Sequence, residues 1–327
     1  RPFVLAEMAC AHDGQIELAV EMVNGAADAG ADGIQFQLFT TRNLLTPNHK
    51  FYSIVRSLEI TYDDWEDVFH VARKRGLKVF VNPLTTDAFD AIKMYSADAL
   101  KIHSADLSNP EMLKGLNDFK LPVLLSTGGS KEGEVKNAIR LLKSEGIQNI
   151  ILMHGFQAYP TSLQDTNLNF IKRLKKVFGE LVGYQDHIEG TSEMATILPI
   201  IAVSLGVVLI EKHITDSRER KGTDFESAID KVGFKSFISS LNRAYSALGS
   251  SDKKQSNEAE IEYRKNFKKS IVAARDIETG EKFSNGMISF MRTGIIGFTP
   301  KEMDRVLKKT CKKSLKQYDV IMGDCIN

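Results

Sequence analysis

Cysteine is scarce: the 327-residue chain has three, Cys10, Cys311 and Cys325. They are too few and too scattered for a disulfide framework, and they lack the CxxC spacing of a zinc knuckle. Excess charge is also missing. With 43 Lys and Arg against 42 Asp and Glu, the formal net charge is +1, so nothing points to nucleic acid or an anionic membrane as a partner. No apolar run reaches membrane-spanning length. The longest, Ala195 to Ile210, is broken by Pro199, Ser204 and Gly206 and reads as a helix followed by a strand. The chain opens RPFVLAEM without a basic-then-apolar leader. The missing initiator Met suggests trimming, and a reducing, cytoplasmic setting is expected. No GxGxxG follows the first strand, which removes the usual dinucleotide signature.

What is present is a regular alternation. Eight short apolar runs, FVLAEM (3–8), GIQFQLF (33–39), KVFVNPL (78–84), ALKIHSA (99–105), PVLLSTG (122–128), IILMHGF (150–156), LVGYQDH (181–187) and VVLIEKHI (207–214), are separated by helix-length amphipathic stretches. Several of those stretches end in glycine, as ELAVEMVNGAADAG does, the usual helix stop. Runs that are nearly continuous in hydrophobicity suit parallel strands covered on both faces. Eight such units predict a (β/α)8 barrel, with a doubly wound open sheet as the competing architecture. The expected organisation is a barrel over residues 1–249, with its last helix near Lys231 to Leu248. A polar linker or solvated helix follows over 250–266, and a small β-rich domain over 267–327. In the last segment short strands are broken by turns at Glu278–Gly280, Asn285–Gly286 and Gly294.

Barrel chemistry sits at the C-terminal ends of strands. Here those ends carry Glu7, Gln35, Gln37, Asn82, Lys101, Ser104, Ser126, His154, Gln185 to His187, and Glu211 to His213. Side chains alternate along a strand, so Glu211 and His213 share one face while Lys212 points behind it, to pack or pair there. His187 and His213, on adjacent strands, are placed to converge above the barrel mouth. Two imidazoles there suit a divalent metal, and Glu7 and Glu211 supply acid–base groups; two hydrogen-bonded structural histidines are the bland alternative. Lys101, Ser104 and Ser126, with the glycines of LLSTGG, form an anion-binding set.

These motifs occur in the order found in a known family. VLAEMACAHDG, AGADGIQFQ, LKIHSAD, VLLSTGG, AYPT, VGYQDH and IEKHIT resemble the sialic acid synthase family. FKKSIVAARDIETGE and MRTGIIG resemble its C-terminal domain, which is related to type III antifreeze proteins. The resemblance implies a carbon–carbon bond-forming transferase that condenses phosphoenolpyruvate with an N-acylated mannosamine-type sugar. The products are a nonulosonic acid and phosphate, and manganese or magnesium assists. It implies His187 and His213 as metal ligands, and Glu7 and Glu211 as proton-handling and orienting groups. Lys101, Ser104 and Ser126 would hold the donor; Gln37, Tyr159 and Asp224 the sugar. Arg292 would reach into the site of a neighbouring subunit in a domain-exchanged homodimer.

Four donor-side positions depart from the family's pattern. Gln35 stands where a phosphate-contacting lysine is usual, Gln185 replaces a serine, Asn82 a threonine, and Gln157 a smaller polar residue. Arg292–Thr293–Gly294 replaces Arg–Pro–Gly. Loss of one charge-assisted contact costs about 1.5–3 kcal/mol, unless Arg218, Arg220 or Lys221, in the loop after the last strand, compensates. Two alternatives follow. One is an aldolase or lyase using a donor such as pyruvate, with Lys101 as a Schiff-base candidate. The other is a non-catalytic sugar-binding relative. His49, Phe51, Tyr52 and Phe156 are placed to shape the sugar pocket.

Overall fold

The computed structural model describes residues 1–250 and 257–327. Two compact units result, Arg1–Gly249 and Ser250–Asn327. In the first, eight parallel strands close into a barrel in chain order. They are β1 (Phe3–Glu7), β2 (Gly33–Leu38), β3 (Lys78–Pro83), β4 (Ala99–Ile102), β5 (Val123–Ser126), β6 (Ile150–His154), β7 (Leu181–Asp186) and β8 (Leu209–His213). The (β/α)8 architecture read from the alternation is the one observed.

The strands are apolar on both faces because each face meets a different core. Val4, Ile34, Phe36, Val79, Leu100, Leu125, Leu152 and Ile210 point outward into a large cluster shared with the helices. Trp65, the chain's single tryptophan, is buried there, with its ring centroid 5.2 Å from that of Phe36. Burial of each large side chain contributes about 1.5–3 kcal/mol. The inward positions Leu5, Phe80, Ala99, Leu124, Met153 and Leu209 form a separate plug inside the barrel. Helix ends obey the glycine rule: Gly30, Gly76 and Gly146 all take positive φ, where a Cβ would be strained. The last barrel helix runs Lys231–Leu248, capped by the Asp230 side chain.

Strand register stacks the inward residues in levels, alternately from odd and even strands. Above the apolar plug, Gln35, Lys101, Met153 and Glu211 come from the even strands; one step higher, Glu7, Asn82, Ser126 and Gln185 come from the odd strands. Gln37, Gly155 and His213 follow at the third level. The barrel is therefore sealed by apolar side chains below and, apart from Met153 of the plug, lined by polar side chains above.

Residues 251–256 of the expected linker lie outside the described residues. Glu258–Phe267 is a helix with no buried residue, capped by Asn257, with Glu258 and Glu260 in its first turn and Arg264 and Lys265 in its last. The rest of the second unit has one antiparallel pair, β9 (Lys269–Ala273) with β10 (Ile288–Arg292), and several isolated bridges. The small β-rich unit expected after residue 266 is the one observed. A core of twelve buried residues, among them Ile271, Phe283, Val306, Cys311, Ile321 and Cys325, holds its turns together. All three cysteines are unpaired.

Candidate active site

At the mouth of the barrel, His187, Glu211 and His213 each offer a ligand atom within 4.8 Å of the others, and all three are buried. The two imidazole centroids are 5.3 Å apart. Nδ1 of His187 lies 2.7 Å from the Phe156 carbonyl. A ring that donates there keeps its Nε2 lone pair available. Burial depresses the pKa of both histidines; for His213 the neighbouring His187 and Lys101 depress it further. Both rings are therefore neutral at ordinary pH, the form that binds a metal. Neutral nitrogens and a carboxylate suit a borderline divalent ion. Tyr159 covers the pair, its ring centroid 4.4 Å from that of His187, and its hydroxyl donates to Gln157 at 2.9 Å.

Beneath the histidines, Lys101 Nζ donates to both oxygens of Glu211, at 2.6 and 2.7 Å, and lies 4.0 Å from Glu7 Oε2. Glu7 Oε1 accepts from the Ala9 N–H at 2.8 Å and from Gln37 at 3.1 Å. Its Oε2 is buried without a hydrogen-bond partner. Burial pushes the Glu7 carboxyl up to about 8; Lys101 opposes this and Glu211 adds to it. At neutral pH Glu7 is thus a carboxylic acid, with Oε2 the natural seat of its proton, facing the site.

Gln35 and Asn82 are fully buried, and neither the nitrogen nor the oxygen of either amide has a protein partner. An unsatisfied buried polar group costs about 1–3 kcal/mol. Strand register sets both amides close to the orphan Glu7 oxygen, and unpaired buried groups of this kind call for a polar occupant. Ser126 donates to Gln185 at 3.1 Å. Gly155 makes room for this glutamine, because a Cβ there would stand 2.2 Å from Gln185 Cγ. Ser104 opens a short 3-10 turn just past β4 and is half-buried. Alongside Ser126, a cleft of about 370 Å³ is lined by Thr127, Gly128, Gly129, His154 and Phe156.

Several expectations are corrected. His154 does not face the site: it points into the helix layer, its ring near Phe170 and Nε2 2.9 Å from the Thr166 carbonyl. Alternation within β6 puts Met153 inward instead. Arg218 is consumed by Glu189 at 2.6 Å and by the carbonyls of Phe225 and Ala228. Arg220 is consumed by Asp13, Asp216 and the Ala11 carbonyl. Neither is available to replace the charge missing at Gln35, and Lys221 is exposed. Thr223 also holds Asp13, at 2.6 Å. That lock positions Asp224, whose pKa is raised by burial and opposed by the backbone N–H of Cys10. Lys212 does pair behind the sheet, with Asp186 at 2.6 Å and both fully buried. Arg292 lies in the second unit, exposed at the end of β10, with its guanidinium 5.4 Å from the Phe267 ring centroid.

His103 was not anticipated as a site residue. It continues the inward parity of Lys101 two residues on, and the charges of Lys101, Glu211 and His187 act on it. The same alternation that identified Lys101 would have found it.

Comparison with known proteins decides the relationship. Residues 22–253 match the NeuB family and 268–327 the SAF domain. The chain belongs to the NeuB family. An uncharacterized protein of Methanocaldococcus jannaschii is 33% identical over 325 residues, 98% of this chain and 94% of that protein. The pseudaminic acid synthase of Campylobacter jejuni is 28% identical over 337 residues, 98% of this chain and 96% of that enzyme. Among solved structures, a sialic acid synthetase from Leptospira borgpetersenii in complex with citrate superposes with a TM-score of 0.74 at 28% identity, over 81% of this chain and 92% of that one. For this NeuB family chain, barrel and C-terminal SAF domain therefore occur in the order expected from the motifs.

Proposed function

We propose that this NeuB family enzyme condenses phosphoenolpyruvate with an N-acylated mannosamine-type sugar, giving a nonulosonic acid and phosphate. As a family member it is a carbon–carbon bond-forming transferase of the N-acetylneuraminate synthase type. The observation that carries the reading is the stack of His187, Glu211 and His213 over the Lys101–Glu211 pair and the protonated Glu7. It sets a metal-ligand set, an anion-binding cation and a proton source within one polar chamber. A divalent ion such as manganese or magnesium, held by the histidines and Glu211, would supply Lewis acidity toward a carbonyl oxygen.

The chain's own groups do the rest. Lys101, Ser104 and Ser126 bind the donor's anionic end, and Gln35, Asn82, Gln157 and Gln185 offer it neutral amide donors. Gln37, Tyr159 and Asp224 orient the sugar, and Arg292 of a second copy completes the pocket in a domain-exchanged dimer. Glu7, held in place by Ala9 and Gln37, exchanges the proton at the reacting carbonyl or at the attacking water. The reaction is expected in the cytoplasm. Sugar-dependent phosphate release, lost on chelation and restored by manganese, is the expected result. Release that ignores the sugar would contradict the proposal.

A second reading is favoured by one observation: Gln35 and Asn82 are uncharged and both nearby arginines are engaged. A donor without phosphate, such as pyruvate, needs less positive charge. A Schiff base at Lys101 does not suit this arrangement, since an ammonium engaged by two carboxylate oxygens lacks the free amine required. Borohydride with pyruvate should leave Lys101 unlabelled.

A further inference from the structure

We infer that Glu211 is a latch on the donor site, and that metal binding opens it. The inference rests on the proposed condensation only in taking the donor to be an anion. Among the described residues, Lys101 and Lys212 are the only buried cations. Lys212 faces away from the chamber and is neutralised by Asp186. Lys101 is therefore the single buried cation that faces the reacting groups, and both of its short contacts go to Glu211. Arg218 and Arg220 are tied elsewhere, and the remaining donor-side groups are neutral amides and hydroxyls. As it stands, the chamber has no net charge to offer an anion.

The same Glu211 carboxylate is one corner of the His187–Glu211–His213 cluster. An ion bound there draws on the same carboxylate charge that now neutralises Lys101. A divalent cation held by Glu211 therefore weakens the two bonds to Lys101 and leaves the ammonium's charge free to act on an incoming carboxylate or phosphate. Metal and donor are then positively coupled through this one side chain, and the coupling is reciprocal. A regained charge-assisted hydrogen bond sets its size at about ten- to a hundredfold in affinity.

The test uses the full chain stripped of metal, with phosphoenolpyruvate and pyruvate titrated calorimetrically into wild type and Glu211→Gln, each with and without manganese. The latch predicts that metal-free Glu211→Gln binds at least one of the two anions about tenfold more tightly than metal-free wild type. It also predicts that manganese improves anion binding by wild type far more than by the variant. Should Glu211→Gln fail to fold, Glu211→Asp, whose carboxylate is drawn back by one methylene, is expected to behave the same way. A folded variant that binds neither anion more tightly than wild type without metal overturns the inference. An equal manganese effect in both proteins, which direct contact between metal and donor would give, also overturns it. Coupling seen with pyruvate but not with phosphoenolpyruvate keeps the latch while removing the phosphorylated donor. Turnover of phosphoenolpyruvate without coupling does the reverse.

Discussion

Glu7 is held as a neutral acid by burial, and the unfolded chain has no such constraint. Glu7→Gln isolates the consequence. The glutamine oxygen can keep the Ala9 and Gln37 bonds that Oε1 makes now, and its amide nitrogen occupies the place of the partnerless Oε2. A folded-state pKa of about 8, against 4.5 for the free side chain, means that the folded protein binds more protons than the unfolded one between those values. Stability contributed by the protonated carboxyl is complete below about 4.5 and lost as pH rises through about 8. By linkage the wild-type carboxyl costs on the order of 1 kcal/mol at pH 5 and about 3 kcal/mol at pH 7. Glu7→Gln escapes this cost. It should be more stable than wild type in metal-free buffer, by a margin that grows from pH 5 to pH 8 and then levels off. Trp65 sits in the barrel core, so its fluorescence during urea unfolding reports the relevant transition. The variant should also lose roughly a hundredfold or more in turnover, as removal of a general acid–base group does. A stability gain that does not change with pH, or a variant less stable throughout, would refute the assignment of a neutral Glu7.

Four further outcomes are expected. His187→Asn and His213→Asn should each abolish tight manganese binding in calorimetry. In wild type, because both histidine pKa values are depressed, manganese affinity should persist as pH falls through the usual histidine value of about 6.5; loss of binding at that pH would contradict the depressed values. Lys212→Met strands Asp186 in the core and should cost about 3–5 kcal/mol by urea unfolding, most of it recovered in the double variant with Asp186→Asn. Arg220→Gln should raise the KM for the sugar with little change for the donor, because Arg220 ties down the loop that carries Asp224; a rise confined to the donor would mean it serves the phosphate after all.

Most of the barrel was legible because its grammar is local. Apolar runs, helix-length spacers and terminal glycines recur within each unit, and strand alternation alone sent Lys212 behind the sheet and Glu211 and His213 inward. His154 shows where local grammar fails. In IILMHGF both faces of the strand are apolar, so the pattern does not say whether Met153 or His154 faces in; packing against Phe170 decides it. The fates of Arg218 and Arg220 were illegible for another reason. Arg220 meets Asp13, some 207 residues earlier in the chain, and no spacing rule couples such positions. The double claim on Glu211 by Lys101 and by the histidine pair likewise arises only when β4 and β8 face each other across the closed barrel.

The most direct test of the central claim is the mass of the product made from uniformly carbon-13-labelled phosphoenolpyruvate and unlabelled acylated mannosamine-type sugars, with manganese present. The expected product is a nonulosonic acid that carries all of the donor's labelled carbons joined to the intact sugar, with one phosphate released per product. Phosphate release with the label left in free pyruvate, or no joined product from any sugar, would contradict it.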